Sequence, residues 1–458
     1  VGCAFASLVA PSACQLGDGS NKTACATTAD CNEGRICGAA KMCIPGVQAL
    51  ALGFKHTCAL RQGATVQCWG DNALGEGGDA PPQVLLPLSP GMRLAPILDG
   101  PATAMEAGEG FNCALMATGK IDCWGDNTYG NLGQGPGAAS PGAADLATGY
   151  TAVQVSVGET SSCAVLAGGA VKCWGDNRYA QLGIGNKINQ GDQAGQMGDN
   201  LPFVTLGSGH TARAIAVGDA HVCALLDDFQ IACWGDNVYG QLGLEDNVTR
   251  GDGLNPLRST TEVTSLGSLN HAVALSAAGD RTCALLDNGQ VKCWGVNYYG
   301  ELGLGVSDGS WGDLPGSMGD NLPSVDLGAG RSALAVAAGE QHTCAILDDR
   351  SLKCWGRNDS GQLGLDDGLS RGIKPEDMGD SLPTVDLGTG RTALAVAAGA
   401  AHTCALLDNH QVKCWGLNAD GELGLTGLDE NRGDGAIGAM GIAAKEMGDN
   451  LPYVDLGP

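Results

Sequence analysis

Basic and aromatic side chains are both scarce in this chain of 458 residues. Lys and Arg number 25 against 50 Asp and Glu, for a net charge of −25, and Phe, Trp and Tyr together make up 4%. A surface so acidic cannot neutralise phosphates, which excludes nucleic acid and anionic membranes as partners. No run of 18 or more apolar residues occurs, so no transmembrane segment is expected. A nucleophile elbow, a phosphate-binding loop and a zinc-hydrolase motif are also missing. The carboxylates are numerous but scattered, so spacing names no acid–base pair. A non-enzyme without a resident cofactor is the expectation.

Glycine and cysteine are plentiful instead, at 74 and 20 residues. Fourteen cysteines form seven pairs with nine residues between partners: Cys58/Cys68, Cys113/Cys123, Cys163/Cys173, Cys223/Cys233, Cys283/Cys293, Cys344/Cys354 and Cys404/Cys414. Each second cysteine precedes Trp-Gly and, two residues on, Asn. Successive first cysteines lie 55, 50, 60, 60, 61 and 60 residues apart. A fixed period of this size marks a repeat architecture, in which one unit cannot bury its apolar face without neighbours. Seven units suit a closed ring.

Within a unit, Asp287-Asn288-Gly289 between two apolar runs is a hairpin signal, since Asn and Gly tolerate the left-handed backbone of a tight turn. A three-residue turn pairs Leu286 with Gln290, and counting outward sets Cys283 opposite Cys293 in a closely spaced, non-hydrogen-bonded pair. One disulfide per hairpin is therefore expected, with the following Trp packed beside it. Zinc sites favour tighter cysteine spacings. The six remaining cysteines, Cys3, Cys14, Cys25, Cys31, Cys37 and Cys43, lie in a short N-terminal module, residues 1–45, whose low apolar content calls for disulfides. This cysteine density belongs to an oxidising compartment, so a secreted or cell-surface protein is expected. Val1 in place of Met suggests a processed form, and Cys3 is a weak candidate for lipidation.

Residues 46–458 divide into units of four short strands, clearest as NLPTVDLG lacking its Asn (Ser381 stands there), ALAVAAG, HTCALLD and QVKCWG over Ser381–Gly416. Ala-rich but short and bounded by Gly, ALAVAAG reads as a buried strand. The fold class is thus all-β, a seven-bladed β-propeller preceded by a small disulfide-rich module. The first unit lacks the Leu-Pro-x-Val-Asp-Leu-Gly strand, and the chain ends in one, Gly448–Gly457. That C-terminal strand is expected to complete the first blade and close the ring.

The runs HTCALLDNHQVKCWGLNADGELGL from His402 and RTCALLDNGQVKCWGVNYYGELGLG from Arg281 resemble the regulator of chromosome condensation repeat. The resemblance covers residues from about 47 to 458, implies a seven-bladed propeller, and is nearest to a secreted, disulfide-rich bacterial branch. It implies protein partners on a propeller face. The family's namesake is a nuclear nucleotide-exchange factor that binds histones and DNA, an activity that an acidic chain with no basic arm does not fit.

The long insertions, 184-200, 244-262, 304-321, 365-381 and 425-450, all follow the same Leu-Gly element and should emerge on one side. Loops on a rigid scaffold are where recognition resides, so this is the expected partner or self-assembly face. Their Asp and Gly content raises calcium as a cofactor, with Asp252, Asp313, Asp429 and Asp434 as candidate ligands, although turn chemistry is the favoured reading. Arg250-Gly251-Asp252 and Arg432-Gly433-Asp434 spell an adhesion tripeptide, but repeat structure accounts for them. His56, His221, His342 and His402 stand two residues before a repeat cysteine, where a ring of imidazoles could hold a metal. Phe111, Ser161 and Arg281 interrupt that ring. Sequons occur at Asn21, Asn247 and Asn358, and Val84-Leu88 offers an apolar patch. Two functions follow: an extracellular protein-binding or structural scaffold, such as a subunit of a surface or fibre assembly, or a soluble inhibitor or receptor that binds one protein through the long-loop face.

Overall fold

In the computed structural model, the described residues are 35–37, 43–78, 93–94, 100–136, 142–254, 263–268, 271–425, 430–435 and 445–456. Cys3, Cys14, Cys25, Cys31, Asp429, Asn21, residues 84–88 and parts of the second and fifth insertions lie outside them. Of the N-terminal module, a two-stranded ladder remains, Arg35–Cys37 against Cys43–Pro45, with Cys37 opposite Cys43.

Seven antiparallel sheets follow in chain order. Each has an inner, a middle and an outer strand, for instance Ala333–Ala338, His342–Leu347 and Leu352–Gly356 in blade 6. The Ala-rich segment is the inner strand. Seven such strands converge on the axis, and pairing with the middle strand outweighs the helix preference of Ala. Every middle strand is fully buried, as expected for a sheet packed on both faces.

Each hairpin carries its disulfide: Cys58–Cys68, Cys113–Cys123, Cys163–Cys173, Cys223–Cys233, Cys283–Cys293, Cys344–Cys354 and Cys404–Cys414, all with a Cα–Cα distance of 4.1 Å. Cys283 stands opposite Cys293 in the ladder. The turn is as read, with the Leu286 amide bonded to the Gln290 carbonyl at 2.9 Å.

The tryptophan, however, does not pack beside its own disulfide. Cys68 and Trp69 are successive strand residues, as are Cys123 and Trp124, Cys173 and Trp174, and Cys233 and Trp234, and alternation sends the two members of each pair to opposite faces of the sheet. Each tryptophan lies instead against the disulfide of the preceding blade. Trp124 clusters with Cys58 and Cys68, Trp174 with Cys113 and Cys123, and Trp234 with Cys163 and Cys173. Trp294 likewise joins Cys223 and Cys233, and Trp355 joins Cys283 and Cys293. Trp415 meets Cys344 and Cys354.

The Leu-Pro-x-Val-Asp-Leu-Gly segment also differs from expectation. It is not a full first strand but an extended strip on the outer edge of the preceding hairpin, held by single bonds such as Val385 N–H to the Leu352 carbonyl (2.8 Å). Pro383 has no amide to donate, and the Asp386 carboxylate accepts from the Gly388 amide at 2.9 Å, turning the chain away. The C-terminal strip accordingly bonds blade 7, through Val454 N–H to the Val412 carbonyl (2.9 Å), rather than supplying a first strand to blade 1. It still closes the ring: the Leu456 carbonyl accepts from Gln67 (3.1 Å) and Arg61 (3.3 Å) of blade 1. Trp69 of blade 1 packs against Cys404 and Cys414 of blade 7.

Candidate functional site

The blades are joined by one recurring latch. In blade 7 the Thr403 hydroxyl donates to the Gln362 carbonyl of blade 6 at 2.8 Å, and the Trp415 indole N–H donates to the same oxygen at 3.1 Å. A hydroxyl has a single proton, so Thr403 must accept from His342 Nε2 of blade 6, 2.8 Å away. His221 meets Thr282 in the same way at 2.8 Å, His402 meets Thr57 at 2.9 Å, and His56 meets Asn112 Oδ1 at 3.0 Å. The four imidazoles therefore sit in separate seams and do not converge on the axis. Burial holds His221, His342 and His402 neutral, with pKa values pushed down to about 3. A Cβ on Gly399 would lie 2.5 Å from His402 Cε1, which explains the glycine that precedes each latch. In blade 5 Arg281 takes the place of the histidine and donates to the Gly339, Glu340 and His342 carbonyls of blade 6.

A second clamp was not foreseen from the sequence. Lys172, Lys292, Lys353 and Lys413 are buried in the outer strands, and Lys353 Nζ bonds the Leu327 carbonyl at 3.0 Å and the Gly379 carbonyl at 2.8 Å. Each lysine thus ties two edge strips together, and burial pushes all four ammonium groups down from their ordinary pKa. The signal was the lysine recurring in Val-Lys-Cys or Leu-Lys-Cys, on the same side of the strand as Trp. The Asn of Trp-Gly-x-Asn organises the long insertions: Asn358 accepts from the Leu363 amide at 2.9 Å and donates to the Asp367 carbonyl at 2.6 Å. Asn358 is buried, so its sequon is closed in the folded chain, while Asn247 is exposed.

The insertions fold back on the ring. Arg250, Arg371 and Arg432 bridge Gly235, Gly356 and Gly416, and the Gly-Asp steps abut the glycine turn of the preceding blade, where a Cβ on Gly361 would lie 2.4 Å from the Asp434 nitrogen. Arg250 is buried and bonds Asp246 at 2.7 Å, and Arg432 pairs with Glu446 at 3.2 Å, so neither arginine is offered for adhesion. Asp252 caps the Leu254 amide at 2.9 Å and Asp313 accepts from Ser310 at 2.9 Å. Among the described residues, Asp252, Asp313 and Asp434 are not brought together with one another into a group of three ligands.

Register sets the two faces of the ring. His342 lies opposite Gly356, so the turn between the inner and middle strands opens on the same side as the insertion that follows the outer strand. On this side, a central cavity of about 340 Å³ is bounded by inner strands of all seven blades, with Ala274, Ser276, Ala335, Ala337 and Ala395 in its wall. In six blades the residue after the inner-strand glycine lines it, and four of these are acidic: Glu109, Glu159, Asp219 and Glu340, the others being Phe54 and Ala400. The blade 5 counterpart, Asp280, instead accepts from Gln241 Nε2 at 3.1 Å. Burial and the neighbouring carboxylates raise the pKa of Glu159, and burial pushes Asp280 up to about 6. Burial raises both Asp219 and Glu340, and the Asp219 carboxylate accepts from the Gly279 amide at 3.1 Å. Arg178 near Glu159, and Arg281 turned into the blade seam near Asp280, offset part of this charge.

The insertions leaving this side carry exposed apolar side chains on blades 3 to 6. Ile188, Leu254, Leu314 and Leu369 are 62%, 86%, 64% and 65% exposed, accompanied by Tyr179, Val238 and Tyr298. No helix among the described residues is long and apolar enough to cross a membrane.

Sequence comparison gives this geometry a lineage. The RCC1-like domain profile matches residues 97–435, and that of the regulator of chromosome condensation (RCC1) repeat matches residues 47–76. Protein pim1 of Schizosaccharomyces pombe is 28% identical over 225 residues, which is 47% of this chain and 39% of pim1. The ultraviolet-B receptor UVR8 of Arabidopsis thaliana is 27% identical over 392 residues, 83% of this chain and 79% of the receptor. For several of the relatives matched, the likeness spans less than half of their length. Among solved structures, yeast RCC1 (Prp20) bound to Kap60 superposes with a TM-score of 0.60 at 19% identity, covering 92% of this chain and 88% of Prp20. Human WBSCR16 gives 0.58 at 18% identity over 77% of this chain and 84% of that one. With three-quarters of its length under one profile and the seven latched blades that profile implies, the chain belongs to the RCC1-like domain family.

Proposed function

We propose that this propeller is a non-enzymatic, extracellular protein-binding module that docks one partner on its long-loop face. One observation carries this reading: the acidic mouth of the central cavity and the exposed apolar side chains share the same face. Apolar contacts supply affinity, and the mouth selects a partner that projects a basic side chain, since opposed charges steer encounter and fix register. A second copy would present the same carboxylates, which disfavours a fibre built face to face and favours the inhibitor or receptor alternative. Seven disulfides support a location where thiols stay oxidised. Prp20, similar in fold, is seen bound to another protein, Kap60.

Charge reversal tests the reading. Glu159→Lys is expected to slow association with a partner recovered by cross-linking about tenfold or more, and salt should slow association of the unsubstituted protein likewise. Asn288→Lys, in the exposed hairpin on the opposite face, should leave binding intact. Equal affinity for Glu159→Lys and the unsubstituted protein would refute the role of the mouth.

A further inference from the structure

On the opposite face, where the hairpin turns lie, a group of three ligand-bearing side chains has no part in the docking surface. His210 precedes the inner strand of blade 4, and Asp227 and Asp228 lie in its hairpin turn. His210 Nδ1 stands 3.3 Å from Asp227 Oδ1 and 3.5 Å from Asp228 Oδ2. Asp227 and Asp228 are exposed and His210 is half-buried, so the group is open to solvent.

Comparison of the blades shows what belongs between these carboxylates. Arg331 occupies the His210 position in blade 6 and pairs with Asp348 and Asp349, and Arg391 occupies it in blade 7 and pairs with Asp408 at 3.2 Å. In blade 3 the position is Tyr150 and the turn is Ala167-Gly168, with neither cation nor acid. Acid and cation thus meet in blades 4, 6 and 7, whereas blade 5 carries Asp287 with Asn270 at this position. Arginine carries its charge permanently, whereas imidazole must take a proton or a metal ion to play the same part.

The distances suit a metal. Bonds of about 2.0–2.2 Å to zinc in tetrahedral geometry place ligand atoms about 3.3–3.5 Å apart, which matches both separations from Nδ1. The site is also held from outside: the Thr211 amide donates to Asp227 Oδ1 at 3.3 Å, and Arg213 donates to the Asp227 carbonyl at 3.2 Å. The Arg213 guanidinium lies over the Phe229 ring, 4.3 Å from its centroid. We propose that His210, Asp227 and Asp228 form a surface site for a divalent transition cation of the zinc class, with water completing the tetrahedron.

Zinc chloride titrated calorimetrically into the intact protein at pH 7.5, with excess magnesium to occupy nonspecific carboxylates, tests this. One equivalent is expected to bind, and His210→Ala and Asp228→Asn should each weaken that equivalent about 10–100-fold. His210→Arg rebuilds the ion pair of blades 6 and 7, so it should fold with an undiminished melting temperature and bind no zinc. Either the same zinc equivalent in His210→Arg or none in the unsubstituted protein would overturn the site.

Discussion

Replacing Trp355 with alanine is expected to destabilise the propeller by about 3–5 kcal/mol, the usual cost of truncating a buried aromatic side chain. The indole is fully buried and packs against the Cys283–Cys293 disulfide together with Leu285, Leu302 and Val325. Its N–H bonds the Glu301 carbonyl at 2.9 Å, an oxygen that also accepts from Thr343 at 2.9 Å. Trp355→Phe keeps most of the volume and removes the donor while Thr343 still satisfies the Glu301 carbonyl, so it should cost about 0.5–1.5 kcal/mol, the net worth of one hydrogen bond. Urea unfolding followed by circular dichroism reads both. Because the contacts join blades 5 and 6, the alanine variant should also expose that seam to amide exchange before the others. A loss below about 1 kcal/mol in Trp355→Ala, within the range of surface substitutions, would show that the latch is not what holds the blades together.

Acid should unfold the chain abruptly rather than gradually. His221, His342 and His402 have folded pKa values near 3 against about 6.5 for a free imidazole. Between those values the unfolded chain binds more protons, so stability falls as pH falls, by up to about 1.4 kcal/mol per pH unit for each histidine. The carboxylates act in the opposite sense. Burial raises Asp280 to about 6 and Glu422 to about 7, so the folded chain holds the extra protons and gains stability as pH drops from 7 towards the ordinary carboxylate range. Below about pH 4.5 that gain is exhausted while the histidine loss continues. The urea midpoint is therefore expected to change little from pH 7 to 5 and to fall steeply from 4.5 to 3. His342→Gln retains a donor towards Thr403 and removes one titrating group, so its slope in the steep region should be shallower by about 1.4 kcal/mol per pH unit. An unchanged slope would mean that His342 is protonated in its seam.

The repeated features were legible because each is written seven times. The Cys spacing and the Asp-Asn-Gly turn fixed the hairpin register down to Cys283 opposite Cys293. The phase of the fourth strand was less legible, because Pro383 and Asp386 reduce it to one or two ladder bonds and a strip so lightly held can be assigned to either neighbouring unit. Trp packing was misplaced where the spacing was read without the period of two: Trp355 has to face blade 5 once Cys354 faces blade 7. The acidic mouth was overlooked because Glu109, Glu159, Asp219 and Glu340 are dozens of residues apart and differ in type. Only closure of the ring sets them around one axis. The same holds for His210, whose meaning came from aligning it with Arg331 and Arg391 in three dimensions.

A photo-cross-linking amino acid placed singly around the ring, in the intact protein among its natural neighbours, tests the docking face most directly. Adducts to one partner are expected from positions 188, 254 and 369, on the same face as the acidic mouth, and none from positions 288 and 409 in the hairpin turns. Adducts confined to the hairpin turns would contradict the account.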